Sequence, residues 1–180
     1  MIQTQPQKLA QDTHDPSPSS SSIGMEMRMN QQQIDQHFIQ MMIPHHQGAV
    51  DMADLALNKA KHPQLKKLAQ DIATSQSQEI QEMKTWYKSW YKSEVPAVSS
   101  MKMMNHMNNM MNMDLTALKN SSNFDRAFIE QMIPHHQMAV RMAAMVLNSP
   151  HPELRNLAKA IIQSQTAEIE EMFKWKKEWF

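Results

Sequence analysis

Two stretches of this chain are copies of one another. Residues from Asp35 to Tyr91 align with those from Asp125 to Phe180: Phe38 falls on Phe128, Met42 on Met132, Pro44 on Pro134, His45-His46 on His135-His136 and Met52 on Met142. After a one-residue deletion, His62-Pro63 falls on His151-Pro152, Leu65 on Leu154, Glu79 on Glu168, Met83 on Met172, Trp86 on Trp175 and Trp90 on Trp179. A repeat this long is two copies of one supersecondary unit and not a solenoid. Each copy reads as a helical hairpin. Its first arm runs from about Asp35 to Lys59, and its second starts at Pro63, favoured at the first helical position because proline has no N–H to leave unsatisfied. Two hairpins that each bury one face make a four-helix bundle, so the expected fold class is all-α. The chain has only two glycines, which argues further against a sheet with tight hairpins.

The second arms carry the burial pattern. Leu65, Leu68, Ile72, Gln76, Glu79, Met83, Trp86 and Trp90 follow alternating three- and four-residue steps, as do Leu154, Leu157, Ile161, Gln165, Glu168, Met172, Trp175 and Trp179. Glu79 and Glu168 therefore face the core, and a buried carboxylate needs a partner. The first arm offers one. On a helix, the apolar arc of Phe38, Met42, Ala49, Ala53 and Leu57 places His46 near its middle, while His45, Met41 and Met52 sit together on its flank. One histidine of each pair is thus expected to point inward and the other to border the groove between helices. Pro44 and Pro134 fall within apolar spacing that already begins at Phe38 and Phe128. This favours a kink that aims the following histidines over a helix start.

Outside the repeats (31–92 and 124–180) lie two less regular segments. Residues 1–30 are expected to be a flexible tail, rich at first in Gln, Ser, Pro and Thr and ending in the run Met25, Met27, Met29. Residues 93–123 form a connector bearing Met101, Met103, Met104, His106, Met107, Met110, Met111 and Met113, and the asparagines between them disfavour a long stable helix.

The chain has twenty methionines, nine histidines and no cysteine. Thioether is a soft ligand and imidazole a borderline one, a combination that suits Cu(I), Ag(I) or Cu(II) far better than Mg²⁺ or Ca²⁺. Thiolates would be lost to disulfide chemistry in an oxidising compartment, whereas thioethers persist there unless taken to sulfoxide. Methionines at helical spacing more commonly fill core gaps, and Met83 and Met172 are read that way. That reading is weak for the connector, whose methionines have no apolar partners. His46 and His136 taken singly suit a core hydrogen bond to Glu79 or Glu168 as well as they suit ligation. His62 and His151 read as hairpin-turn residues. The doubled histidines with Met three and four residues before and others after turn the balance toward metal. The expected ligands are Met41, Met42, His45, His46, Met52, Met132, His135, His136, Met138 and Met142 with the connector residues, and more weakly Met25, Met27, Met29, His37 and Met145.

Charge and hydropathy remove other classes. Eighteen basic residues balance eighteen acidic ones, so neither nucleic acid nor an anionic membrane is the expected partner. No apolar run approaches the roughly 18 residues needed to span a bilayer. Met1-Ile2-Gln3-Thr4-Gln5-Pro6 lacks the basic start and apolar core of an export signal, so any such signal is expected to have been removed.

The stretches Met42-Ile43-Pro44-His45-His46-Gln47-Gly48-Ala49-Val50-Asp51-Met52-Ala53 and Met132-Ile133-Pro134-His135-His136-Gln137-Met138-Ala139-Val140-Arg141-Met142-Ala143 resemble the signature of domain-of-unknown-function family three hundred and five, over roughly residues 34 to 180. That resemblance implies a ferritin-like helical fold and export from a bacterial cell. With the added Met runs, the chain is similar to copper-resistance members of the family, which implies copper as the ligand and the periplasm or exterior as the location. Carried over, the signature points to Met42, His45, His46, Met52, Met132, His135, His136 and Met142.

The expected function is non-enzymatic: Cu(I) held chiefly by Met with His, Cu(II) held by His, with copper sequestered or passed to an efflux system or another copper-handling protein. A ferritin-like redox enzyme is the rival. It normally needs a Glu from each of two helices and paired Glu-x-x-His motifs. Glu79 and Glu168 are present, but Met41-Met42 and Gln131-Met132 precede the histidines. A copper-free interaction module with adaptable Met surfaces is the third alternative.

Overall fold

The computed structural model describes residues 20–96 and 113–180, the side chains of residues 20–30 excepted. Among the described residues, five helices follow one another: α1 (Ser20–Lys59), α2 (Pro63–Tyr91), α3 (Leu115–Asn120), α4 (Phe124–Ala144) and α5 (Pro152–Trp179). The hairpins α1–α2 and α4–α5 meet chiefly where α1 packs on α4. No strand occurs among the described residues. The fold is the all-α bundle of two repeated hairpins that the repeat dictates.

Local chemistry sets the turns. Pro63 and Pro152 open α2 and α5, each preceded by a histidine in extended conformation. The aspartate that begins each repeat then holds the turn of the other hairpin. Asp125 accepts hydrogen bonds from the Lys61 N–H (2.9 Å), the His62 N–H (2.9 Å) and His62 Nδ1 (2.6 Å). Asp35 accepts from the Ser149 hydroxyl at 2.6 Å and from Gln31 at 3.0 Å. Both carboxylates are buried, so these donors are what make their burial tolerable. The tryptophans at the ends of the second arms complete the same corners. Trp179 stacks on His62 at 3.7 Å and Trp90 on His151 at 3.6 Å, ring centroid to centroid.

Two apolar clusters fill the bundle. One joins Met52, Leu65, Ile72, Phe128, Ile129, Met132 and Met172; the other joins Phe38, Ile39, Met42, Met83, Tyr87, Leu154 and Ile161. Each fully buried side chain of this size stabilises the fold by about 2 kcal/mol relative to exposure. Along α1 the buried members of the second cluster end at Met42 and those of the first begin at Ala49; along α4 those of the first end at Ile133 and those of the second begin at Ala139. His45, His46, His135 and His136 occupy the interval between them.

Three sequence expectations change. Residues 20–30, assigned to the tail, belong to α1. No proline intervenes between Pro18 and Pro44, and Met, Glu, Arg and Gln favour helix. The connector ends in a helix, α3, capped by Asp114 through the Ala117 N–H and anchored by fully buried Leu118. The inward stripe of α2 passes through Ile80 and Tyr87, leaving Trp86 and Trp90 only half-buried, because a 3.6-residue helix drifts away from strict heptad spacing. Residues 1–19 and 97–112 lie outside the described residues.

Candidate metal centre

Pro44 and Pro134 both lie inside continuous helices, as the apolar spacing required. The helices run on past them and carry two adjacent histidines each into the interval between the apolar clusters. All four imidazoles are buried, none more than 1% exposed. This corrects the expectation that His45 and His135 border a groove. Where α1 crosses α4, those two rings face one another instead, with centroids 3.7 Å apart and planes 35° from parallel.

The hydrogen bonds fix which nitrogens carry protons. His46 Nε2 lies 2.6 Å from Glu79 Oε2, and His136 Nε2 lies 2.5 Å from Glu168 Oε2. An ionised carboxylate only accepts, so each Nε2–H donates, and in the neutral ring the lone pair is on Nδ1. His45 Nε2 sits 3.1 Å from the His135 carbonyl and likewise donates, again leaving its lone pair on Nδ1. His135 has no partner at either nitrogen. Burial, reinforced by neighbouring His46 and His136, pushes the His45 pKa down to about 3. Burial, with the neighbouring histidines, lowers that of His135 well below the usual value. Both are neutral bases at ordinary pH, the form that binds metal.

The result is an unusual concentration of unpartnered polar atoms, among which the neutral His135 ring offers one N–H and one lone pair. Nδ1 of His45, His46, His135 and His136, Nε2 of His135, and Oε1 of Gln76 and Gln165 are all buried without a hydrogen-bond partner. Native interiors hold few such atoms, and a cluster of them calls for an explanation. Gln76 and Gln165 belong to the same level of the bundle, between Ile72 and Ile80 on α2 and after Ile161 on α5. The stripe had marked them as inward-facing without assigning them a part in the site. Glu79 also lines a groove of about 450 Å³ with Glu82, Trp86 and Glu153, so the carboxylate that holds His46 reaches solvent while the imidazoles do not.

The methionines divide. Met42, Met52 and Met132 are fully buried among apolar side chains of the two clusters. Met41, Met138 and Met142 are half-buried, and Met113 is half-buried against the first cluster. His37 and Met145 are exposed and stand apart. Met101, Met103, Met104, His106, Met107, Met110 and Met111 lie outside the described residues, as do the side chains of Met25, Met27 and Met29. Among the described residues, no three His, Asp or Glu side chains converge as a ligand set.

The family model for the domain of unknown function DUF305 matches residues 35–176, nearly the whole repeat region. The chain belongs to the DUF305 family. Among solved structures of similar proteins is CopM, known in Cu(I)-, Cu(II)- and Ag-bound forms. The Cu(I) form is 54% identical, matching 81% of this chain and 97% of CopM with a TM-score of 0.73; the Cu(II) form has the same identity and coverage and a TM-score of 0.76. A DUF305 fragment from Deinococcus radiodurans is 28% identical over 81% of this chain and 96% of the fragment, TM-score 0.69. The uncharacterised protein L153 of Acanthamoeba polyphaga mimivirus is 45% identical over 49 residues, 27% of this chain and 32% of the viral protein. The chain thus spans about a third of that viral relative's length.

Proposed function

We propose that this DUF305 protein binds copper in the periplasm or outside the cell, sequestering it or passing it on, and so supports copper tolerance. Cu(I) and Ag(I) are held by thioether with imidazole, Cu(II) by imidazole. The observation that carries this reading is the layer of buried, unpartnered imidazole nitrogens between two apolar clusters. Neutral nitrogen lone pairs with no donor to satisfy them are costly in an apolar interior and become favourable once a cation accepts them. The carboxylates of Glu79 and Glu168 hold the Nε2–H of His46 and His136, the arrangement by which outer groups orient and strengthen an imidazole ligand. Its likeness to CopM, at 54% identity, supports the choice of metal.

The proposed ligands are His45, His46, His135 and His136, joined by Met41, Met138 and Met142 on α1 and α4. The connector residues Met101, Met103, Met104, His106, Met107, Met110, Met111 and Met113 serve as an accessory thioether-rich site. A non-enzymatic role fits a donor set of imidazole and thioether better than carboxylate-bridged redox chemistry does.

The test is an anaerobic Cu(I) titration of untagged protein against a competing chelator, with the native chain beside a variant carrying Leu at positions 45, 46, 135 and 136. The variant is expected to lose its tightest sites. Unchanged affinity and stoichiometry would make the histidines structural and end the proposal.

A further inference from the structure

The two copies of the repeat differ at two places that concern the connector. Where the second copy has Met138 the first has Gly48, and where the first has Met41 the second has Gln131. Gln131 grips the connector just before α3. Its Oε1 accepts from the Asp114 N–H at 2.9 Å and its Nε2 donates to the Asp114 carbonyl at 3.2 Å. Asp114 in turn caps α3, and Leu118 anchors that helix in the core. Met113, the residue before Asp114, is thereby held over α1 at Gly48.

The contact there is close. A Cβ at position 48 would stand 2.7 Å from Met113 Sδ and 3.0 Å from its Cε, nearer than side chains tolerate, and 3.6 Å from His135 Nε2. The missing side chain therefore leaves a notch shared by a thioether sulfur and a ring nitrogen. That nitrogen belongs to a fully buried imidazole and has no hydrogen-bond partner. Sulfur beside an unpartnered imidazole nitrogen is a donor pair for a soft monovalent ion and a poor one for Mg²⁺ or Ca²⁺. Methionine has enough rotatable bonds to bring the sulfur onto an ion seated at that nitrogen.

We infer that Gly48 is the seat through which the connector delivers the Met113 thioether to His135, making a soft-ion site in one half of the histidine layer. The other half does not duplicate it, because Met138 fills the equivalent position. The inference rests on the copper-binding reading and adds to it a ligand pair, a preference for Cu(I) or Ag(I), and a coupling between metal and the docked end of the connector.

The experiment follows the methionine methyl signals of the full chain, ¹³C-labelled at methionine, as silver nitrate is added; Met113→Leu assigns the signal. The Met113 methyl is expected to shift in the native protein and to lose that response in Gly48→Ala. The metal-free Gly48→Ala protein should melt no lower than native, since alanine favours helix over glycine and only the flexible end of Met113 must move. His135→Leu should abolish the same response without touching the notch. A Met113 methyl that responds equally in native, Gly48→Ala and His135→Leu proteins overturns the inference. So does a silent Met113 while other methionine methyls shift. Silence of every methionine methyl, with no Ag(I) retained by the protein on dialysis, would instead overturn the copper-binding reading itself.

Discussion

His45 and His135 stand face to face where α1 crosses α4, their ring centroids 3.7 Å apart although 90 residues separate them in sequence. Two imidazoles buried this closely are held as neutral rings, since charging either carries a large desolvation cost and charging both would add mutual repulsion. The contact joins the two copies of the repeat in the interval between the two apolar clusters.

A consequence is that the metal-free protein gives up stability for this layer. His135→Leu replaces a ring bearing two unpartnered nitrogens by an apolar side chain of similar size, a change that is neutral or stabilising when no hydrogen bond is lost. The apo variant should melt at or above the native temperature while binding less Ag(I) in equilibrium dialysis. A melt several degrees lower, with full Ag(I) capacity, would mark His135 as a structural residue.

Acid should weaken the metal-free bundle. The folded-state pKa of His45 lies at about 3 against an ordinary 6.5, so below pH 6.5 the unfolded chain binds more protons than the folded one. Stability contributed by neutral His45 is complete above pH 6.5 and falls as pH drops toward 3, on the order of 1 kcal/mol per pH unit. His135, displaced the same way, adds to the slope. Urea unfolding between pH 7 and 4 measures it, and His45→Leu should flatten the curve; an unchanged slope would mean that His45 is not held neutral.

Glu79→Gln and Glu168→Gln test the outer groups. Each carboxylate accepts the Nε2–H of a fully buried imidazole. An uncharged amide binds that proton less firmly and no longer orients the ring as strongly, so metal affinity should fall by roughly 10- to 100-fold. Competition titration reads the change. Full affinity in both variants would show that the carboxylates contribute only to folding.

The corner aspartates are expected to differ from one another. Asp125 satisfies two backbone N–H groups and an imidazole, whereas the hydrogen bonds to Asp35 come from side chains. Asp125→Ala removes the shared acceptor of two backbone N–H groups and the His62 ring and should cost about 2 kcal/mol in urea unfolding. Asp35→Ala should cost less, because the Ser149 hydroxyl and Gln31 amide can turn to other partners. Equal losses would contradict the clamp.

Much of the frame was legible because the repeat and the helical period are local properties of the chain. Phe38, Met42, Leu65 and Ile72 face inward as spaced, and the partnership of His46 with Glu79 followed from placing both on inward faces. The position of His45 was not legible. It depends on how the two hairpins cross, which no single-helix projection contains. The same gap hid the reach of Asp125 to Lys61 and the notch at Gly48, both contacts between copies. Met42, Met52 and Met132 carry the right element in the signature and are fully buried among apolar side chains, where sulfur chemistry and core filling call for the same residue.

Buried imidazole nitrogens in the middle of the bundle are the proposed holders of the metal. Nitrogen-resolved NMR of ¹⁵N-histidine-labelled full chain, with Ag(I) added stepwise, tests this most directly. Nδ1 of His46 and His136 is expected to shift from a free lone pair to a ligated nitrogen while each Nε2–H goes on donating to Glu79 or Glu168, with His45 Nδ1 responding as well. Uptake of Ag(I) with all four buried imidazoles unmoved would contradict it and leave the histidine layer a structural feature of the fold.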